Sequence, residues 1–220
     1  GDTTSNLGGL TISITIIGFQ NEEKIVYRNG AKEGDLICVS GDLGGAYMGL
    51  QVLEREKQIF KENPKVQPDL ENDDYILERQ LKPEARKDVI QKLEQLEILP
   101  TSMIDISDGL VSELFHIATQ SKVGCTIYSD KIPIDPQTSN RADEFNMPPE
   151  TAALNGGEDY ELLFTVKQSD FEKIKNYKGV SIIGHITDEV ESVKMVTNAG
   201  SIINLNAQGW DAFFKNNNNQ

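Results

Sequence analysis

Cysteine is nearly absent, with two residues, Cys38 and Cys125, in a chain of 220. Neither belongs to a C-x-x-C pair, so no disulfide framework, zinc knuckle or thioredoxin-type motif is offered. Each lies in an apolar, strand-like run, which predicts a buried reduced thiol in a cytoplasmic protein. Histidine is as scarce. His116 and His185 stand apart without metal-ligand spacing and read as structural. No apolar run reaches the ~18 residues of a membrane span, so no membrane association is expected. Basic residues are in deficit, 21 against 35 acids, for a formal charge of −14. That balance disfavours nucleic acid, which calls for a basic stripe. The Gly-rich stretch Gly41-Asp42-Leu43-Gly44-Gly45 lacks the Lys-Ser/Thr of a Walker A loop. Protein-kinase signatures and a Ser-His-Asp arrangement are missing too.

What the chain does have is carboxylates placed in turns. Met103-Ile104-Asp105-Ile106-Ser107-Asp108-Gly109-Leu110 reads as a short buried strand running into a helix, on which Leu110, Leu114, Ile117 and Ala118 recur at helical spacing. Ser107 takes the expected N-cap position, with Asp108 at the mouth of the helix. Two carboxylates at one corner repel unless a cation separates them. Mg²⁺ takes one or two carboxylates together with phosphate oxygens and waters. The helix-end N–H groups suit a phosphate. An N-cap beside a surface Asp is the alternative reading. Two further turns carry Gly and acid: Asn155-Gly156-Gly157-Glu158-Asp159-Tyr160, ahead of a strand over residues 160–166, and Gly1-Asp2-Thr3-Thr4.

Taken in order, these stretches and Arg28-Asn29-Gly30-Ala31-Lys32-Glu33-Gly34-Asp35 resemble the successive motifs of the thiamine-monophosphate kinase family. That family lies within the aminoimidazole-ribonucleotide-synthetase-like superfamily. The resemblance covers nearly the whole chain, and its second and fourth motifs together are specific. It implies a further N-terminal region, since the chain opens inside a G-G-D-T motif with one of its glycines.

The rest of the chain reads as α+β. Residues 10–17 alternate, Leu10, Ile12, Ile14 and Ile16 against Thr11, Ser13 and Thr15, and predict a half-buried strand. Short strands are expected at residues 25–27 and 36–40, then a helix over 46–60 and a polar loop over 61–74. Helical segments follow at 75–81 and around Val89, Leu93 and Leu96. After a strand at 125–128, the proline-rich stretch 130–150 holds a short polar helix. Ser169-Asp170-Phe171-Glu172 has the form of a capping box, and strands follow at 180–186, 193–197 and 201–205. The expected organisation is a remnant of an N-terminal ATP-binding and dimerisation domain over 1–29. A mixed-sheet C-terminal domain follows over 30–214, and a frayed Asn-rich tail over 215–220.

The resemblance implies ATP- and Mg²⁺-dependent phosphorylation of thiamine monophosphate to thiamine diphosphate by a homodimer. Asp2, Asp105 and Asp108 are then the metal ligands, with Asp105 and Asp108 at the chemistry. Gly1, Asp2, Arg28 and Ser107 contact ATP, while Glu158 and Trp210 contact the thiamine moiety. Read without the resemblance, Arg28 is a solvated turn residue and Trp210 pins a tail to the core. Two other functions stay open. One is another ATP-using superfamily enzyme, of the aminoimidazole ribonucleotide or selenophosphate synthetase type, against which Asn155-Gly156-Gly157-Glu158-Asp159-Tyr160 counts. The other is a non-catalytic nucleotide or thiamine-phosphate binding module.

Overall fold

The computed structural model describes Ile12 and residues 14–206. An irregular N-terminal stretch, interrupted by a 3-10 turn at Glu22–Lys24, leads into one seven-stranded sheet. Its strands are β1 (Leu36–Ser40), β2 (Ser102–Asp105), β3 (Gly124–Tyr128), β4 (Leu162–Val166), β5 (Val180–Thr187), β6 (Val193–Val196) and β7 (Ile202–Asn204). Their spatial order is β2-β4-β1-β5-β3-β6-β7. Every neighbouring pair is antiparallel except β3 and β6. The helices are α1 (Gly45–Glu62), α2 (Asp74–Leu81), α3 (Lys87–Gln95), α4 (Leu110–Ser121), α5 (Pro136–Glu144), α6 (Pro149–Asn155) and α7 (Phe171–Ile174). The fold is α+β with a mixed sheet, as the sequence implies.

Strand β1 lies inside the sheet and is buried on both faces, which is why its sequence is continuously apolar rather than alternating. Ile37 and Val39 join Leu110, Leu114 and Ile117 of α4 in one core. Cys38 joins Phe164 of β4, Val89 and Leu93 of α3 and Ile174 of α7 in the other. Burial pushes the thiols of Cys38 and Cys125 up to about 12, so both are inert packing groups. A third cluster, Met48, Val52, Ile76, Ala142 and Ala152, binds α1, α2, α5 and α6 together. Gly49 lets α1 and α2 approach closely: a Cβ there would stand 2.1 Å from the Ile76 carbonyl oxygen.

Besides the short strand expected at 25–27, which stays irregular, two expectations fail. Ile12 and residues 14–17 form no strand, and Ile12, Ile14, Ile16 and Ile17 are 74–88% exposed. Their alternation therefore meets no partner within the described residues. The edge of β2 is met instead by residue 27, through Met103 N–H to Tyr27 O at 2.9 Å. The second failure is the capping box. A 3-10 turn, Gln168–Asp170, occupies that position, and α7 is four residues long with no side-chain cap.

Candidate active site

The corner after β2 forms as the sequence indicates, but it is capped differently. Asp105 ends β2, opposite Leu162 of β4, and its side chain is exposed, as is that of Asp108. The N-cap of α4 is Gly109, with φ 110° and ψ 149°, and not Ser107. The reason is steric. A Cβ at residue 109 would lie 2.9 Å from the Leu154 carbonyl oxygen and from Asn155 Cα. Only glycine takes this backbone conformation and this approach at no cost. Glu113, buried within α4, reaches back instead. Its Oε1 accepts from the Asp108 N–H at 3.1 Å and from the Ser107 hydroxyl at 3.4 Å. One of the N–H groups expected to meet a phosphate is thereby engaged. Burial, aided by the Asp108 charge, raises the Glu113 pKa against the hydrogen bonds it accepts.

The turn of residues 155–161 is fastened to this corner along the backbone. Glu158 N–H donates to Ser107 O at 2.8 Å, Tyr160 N–H to Ile106 O at 2.9 Å, and Ile106 N–H to Glu161 O at 2.8 Å. Gly157, at φ 70°, sits so close that a Cβ would come within 2.6 Å of the Ser107 carbonyl oxygen. Glu158 and Tyr160 both adopt left-handed backbone, at φ 61° and 51°. Such values in non-glycine residues cost energy and persist where surrounding contacts enforce them.

The consequence is an alternation of side chains. Glu158 and Tyr160 face out, whereas Asp159 and Glu161 are 2% and 1% exposed. Asp159 caps α1 from a distance: its carboxylate accepts from Gly44 N–H at 2.8 Å and Ala46 N–H at 3.2 Å. The Gly-rich stretch before α1 thus receives an internal carboxylate. Burial raises the Asp159 pKa to about 6, against these hydrogen bonds and the nearby Arg79 charge. Glu161 accepts from Ser40 Oγ, from Arg86, and from Arg79 Nη1 at 2.9 Å. Arg79 Nη2 also reaches the carbonyls of Asp42 at 3.0 Å and Asp159 at 3.3 Å.

Around the outward pair, carboxylates gather. The Tyr160 hydroxyl donates to Glu158 Oε2 at 3.0 Å. That bond, then burial and the charges of Glu158, Asp105 and Asp108, raise the phenol pKa. The charges of Asp105, Asp108 and Glu158 all bear on the Tyr160 phenol, and each of the three residues is exposed. Exposed, acceptor-only carboxylates of this kind fit a hard divalent ion. Among the described residues no group of three or more His, Cys, Asp or Glu side chains forms a metal-holding set. Two hollows elsewhere, one of about 370 Å³ beside Arg79 and Arg86 and one of about 640 Å³ beside Ile90 and Leu99, do not include Asp105, Asp108 or Glu158.

Of the residues singled out from sequence, the structure brings together Asp105, Ser107, Asp108 and Glu158. Arg28 is exposed, directly after the Tyr27 carbonyl that accepts from Met103 N–H, with no hydrogen bond or ion pair to the cluster among the described residues. Gly1, Asp2 and Trp210 lie outside the described residues. Sequence reasoning missed Glu113, Asp159, Tyr160 and Glu161 as contributors. The only local signal was the density of acids after Gly156-Gly157.

The domain model described as AIR synthase related protein, C-terminal domain, matches residues 32–200. The chain is 36% identical over 210 residues to the thiamine-monophosphate kinase of Buchnera aphidicola subsp. Schizaphis graminum, covering 92% of this chain and 60% of that protein. To the Escherichia coli (strain K12) thiamine-monophosphate kinase it is 34% identical over 221 residues, covering 97% and 62%. The solved structure of AaThiL complexed with AMPPCP and TMP superposes with a TM-score of 0.69 at 31% identity, covering 87% of this chain and 55% of that one. The chain spans about 60% of the length of the curated relatives it matches.

Proposed function

The chain belongs to the AIR synthase related protein family, whose C-terminal domain it carries, and on that premise we propose that it is the larger part of a thiamine-monophosphate kinase. Joined to the N-terminal region that its longer relatives carry, it transfers the γ-phosphoryl group of ATP to thiamine monophosphate, giving thiamine diphosphate. Relatives of that name and a neighbouring structure holding AMPPCP and TMP support the reading. The observation that supports it in this chain is the fastening of two turns, which between them carry the exposed acids Asp105, Asp108 and Glu158.

The division of labour follows from what each side chain is able to do. Phosphoryl transfer asks mainly for positioning and charge neutralisation. The acceptor is a phosphate already ionised at neutral pH, so no general base is needed. Asp105, Asp108 and Asp2 are the residues to hold Mg²⁺, which supplies neutralisation of the phosphate charges. Gly1, Asp2, Arg28 and Ser107 contact ATP. Glu158 and Trp210 receive the thiamine moiety, Glu158 through its charge and Trp210 by stacking. Residues 1–29 close an N-terminal ATP-binding domain through which two copies pair, residues 30–214 form the C-terminal domain, and the enzyme works in the cytoplasm.

The test is direct. Full-length enzyme incubated with ATP, Mg²⁺ and thiamine monophosphate should yield thiamine diphosphate and ADP in equal amounts on separation of products. ADP and inorganic phosphate without thiamine diphosphate would overturn the substrate assignment. The same products from residues 1–220 alone would overturn the need for the upstream region.

A further inference from the structure

Glu158 and Tyr160 are the outward pair of the turn that runs from residue 155 to β4, and one of them has been given no task. Tyr160 is exposed, at 37%. Its main chain is pinned to Ile106 and its hydroxyl donates to Glu158 Oε2 at 3.0 Å. Both residues hold left-handed backbone, φ 61° and 51°, so the turn accepts strain in two non-glycine residues and thereby points them the same way. Among the described residues, that hydroxyl is the one hydrogen-bond partner of the Glu158 carboxylate.

We propose that Tyr160 is a positioning residue for substrate choice: its hydroxyl holds one oxygen of Glu158, leaving the other to receive the amino group of an aminopyrimidine. This rests on the reading that Glu158 meets thiamine monophosphate. A carboxylate on a free side chain samples several rotamers, and binding must then order it. A phenol orders it beforehand. A lysine or arginine in that place would do so too, but would cancel the charge that a thiazolium cation favours. A neutral donor fixes direction and leaves the charge. The phenol also lies within reach of the Asp105 and Asp108 charges, so the pair sits where the thiamine end of the substrate borders the phosphates.

Full-length wild type, Tyr160→Phe, Glu158→Gln and the double variant would be assayed with thiamine monophosphate. A second substrate would be its analogue with hydrogen in place of the pyrimidine amino group. Tyr160→Phe should raise KM for thiamine monophosphate about tenfold, the scale of one hydrogen bond to a charged group. It should leave kcat, the KM for ATP and the KM for the deamino analogue within about twofold. The double variant should be no worse than Glu158→Gln alone, because the hydroxyl acts through the carboxylate. A rise in KM for both substrates alike would show a merely structural role and overturn the inference. So would a silent Tyr160→Phe beside an impaired Glu158→Gln. If Glu158→Gln itself leaves thiamine monophosphate use unchanged, the assignment of Glu158 falls, and the inference with it. Should Tyr160→Phe fail to fold by thermal melting, Tyr160→Leu reads the same split between the two substrates.

Discussion

The backbone N–H of Glu158 donates to the carbonyl of Ser107 over 2.8 Å. That bond makes one rigid piece of two turns far apart in sequence. Gly109 lies against Leu154 and Asn155 on one side of the seam, and Gly157 against Ser107 on the other. The geometry of the acids is therefore set by main-chain contacts, which side-chain variation cannot easily loosen.

Gly157→Ala tests the seam. The new Cβ would meet the Ser107 carbonyl oxygen at 2.6 Å, at a φ of 70°. Strain of that kind costs about 1–3 kcal/mol, which lowers the melting temperature by roughly 2–4 °C per kcal/mol in a domain of this size. Thermal unfolding of the variant at equal concentration measures it. An unchanged melting temperature would mean that the turns are not fastened in solution.

Asp108→Asn and Glu158→Gln should fail differently. Loss of the Asp108 charge should lower kcat by about 10²-fold or more, the usual scale for removing an electrostatic contact to the transferring group, with modest change in thiamine monophosphate KM. Glu158→Gln should weaken thiamine monophosphate by about 1.5–3 kcal/mol and leave ATP alone. Steady-state kinetics against each substrate separates the two. A raised ATP constant in Glu158→Gln would invert the assignment.

Glu113→Ala should unsettle the same corner from beneath. It removes the acceptor of the Asp108 N–H and the Ser107 hydroxyl, and a polar group left without its partner costs about 1–3 kcal/mol. Chemical denaturation gives the stability loss. Amide exchange at Asp108 should quicken in parallel, and protection equal to wild type would show that Glu113 does not hold it.

Asp159 gives a pH dependence of unusual sign. Its folded pKa is about 6, raised by burial from the 3.8 of a free aspartate. The native state therefore binds the proton more tightly, and the resulting stabilisation is complete below the unfolded pKa and lost as pH rises through about 6. The melting-temperature advantage of wild type over Asp159→Asn should be larger at pH 4.5 than at pH 7. The reverse order would mean that the hydrogen bonds from Gly44 and Ala46 outweigh burial.

Where local pattern decides structure, the sequence was legible. The apolar run 36–40 is β1 to the residue, because a turn at Gly34-Asp35 and the Gly41 break bound it. The corner at Asp105 and the helix after it were legible for the same reason. What could not be read was set by distant contact. Ser107 resembles an N-cap by type, but the backbone of α6 forces Gly109 into that role. Tyr160 alternates with Leu162 and Phe164 as a strand residue would, yet β4 begins at Leu162 and Tyr160 turns left-handed. Asp159 and Glu161 look like further site acids; their partners, Gly44, Ala46, Ser40, Arg79 and Arg86, come from other elements. The isoleucines of residues 12–17 carry a strand pattern whose partner lies in no described element.

The order of the sheet also governs how the chain is made. Among its pairings only β6 with β7 joins strands consecutive in sequence. Strand β1 needs β4 and β5 on its two sides, and both emerge from the ribosome long after it. At ~5–20 residues per second, β1 waits on the order of ten seconds for its neighbours. Throughout that interval Ile37, Cys38 and Val39, wholly buried at the end, face water in the nascent chain. Strand β1 therefore cannot pair until the C-terminal half of the domain has been made.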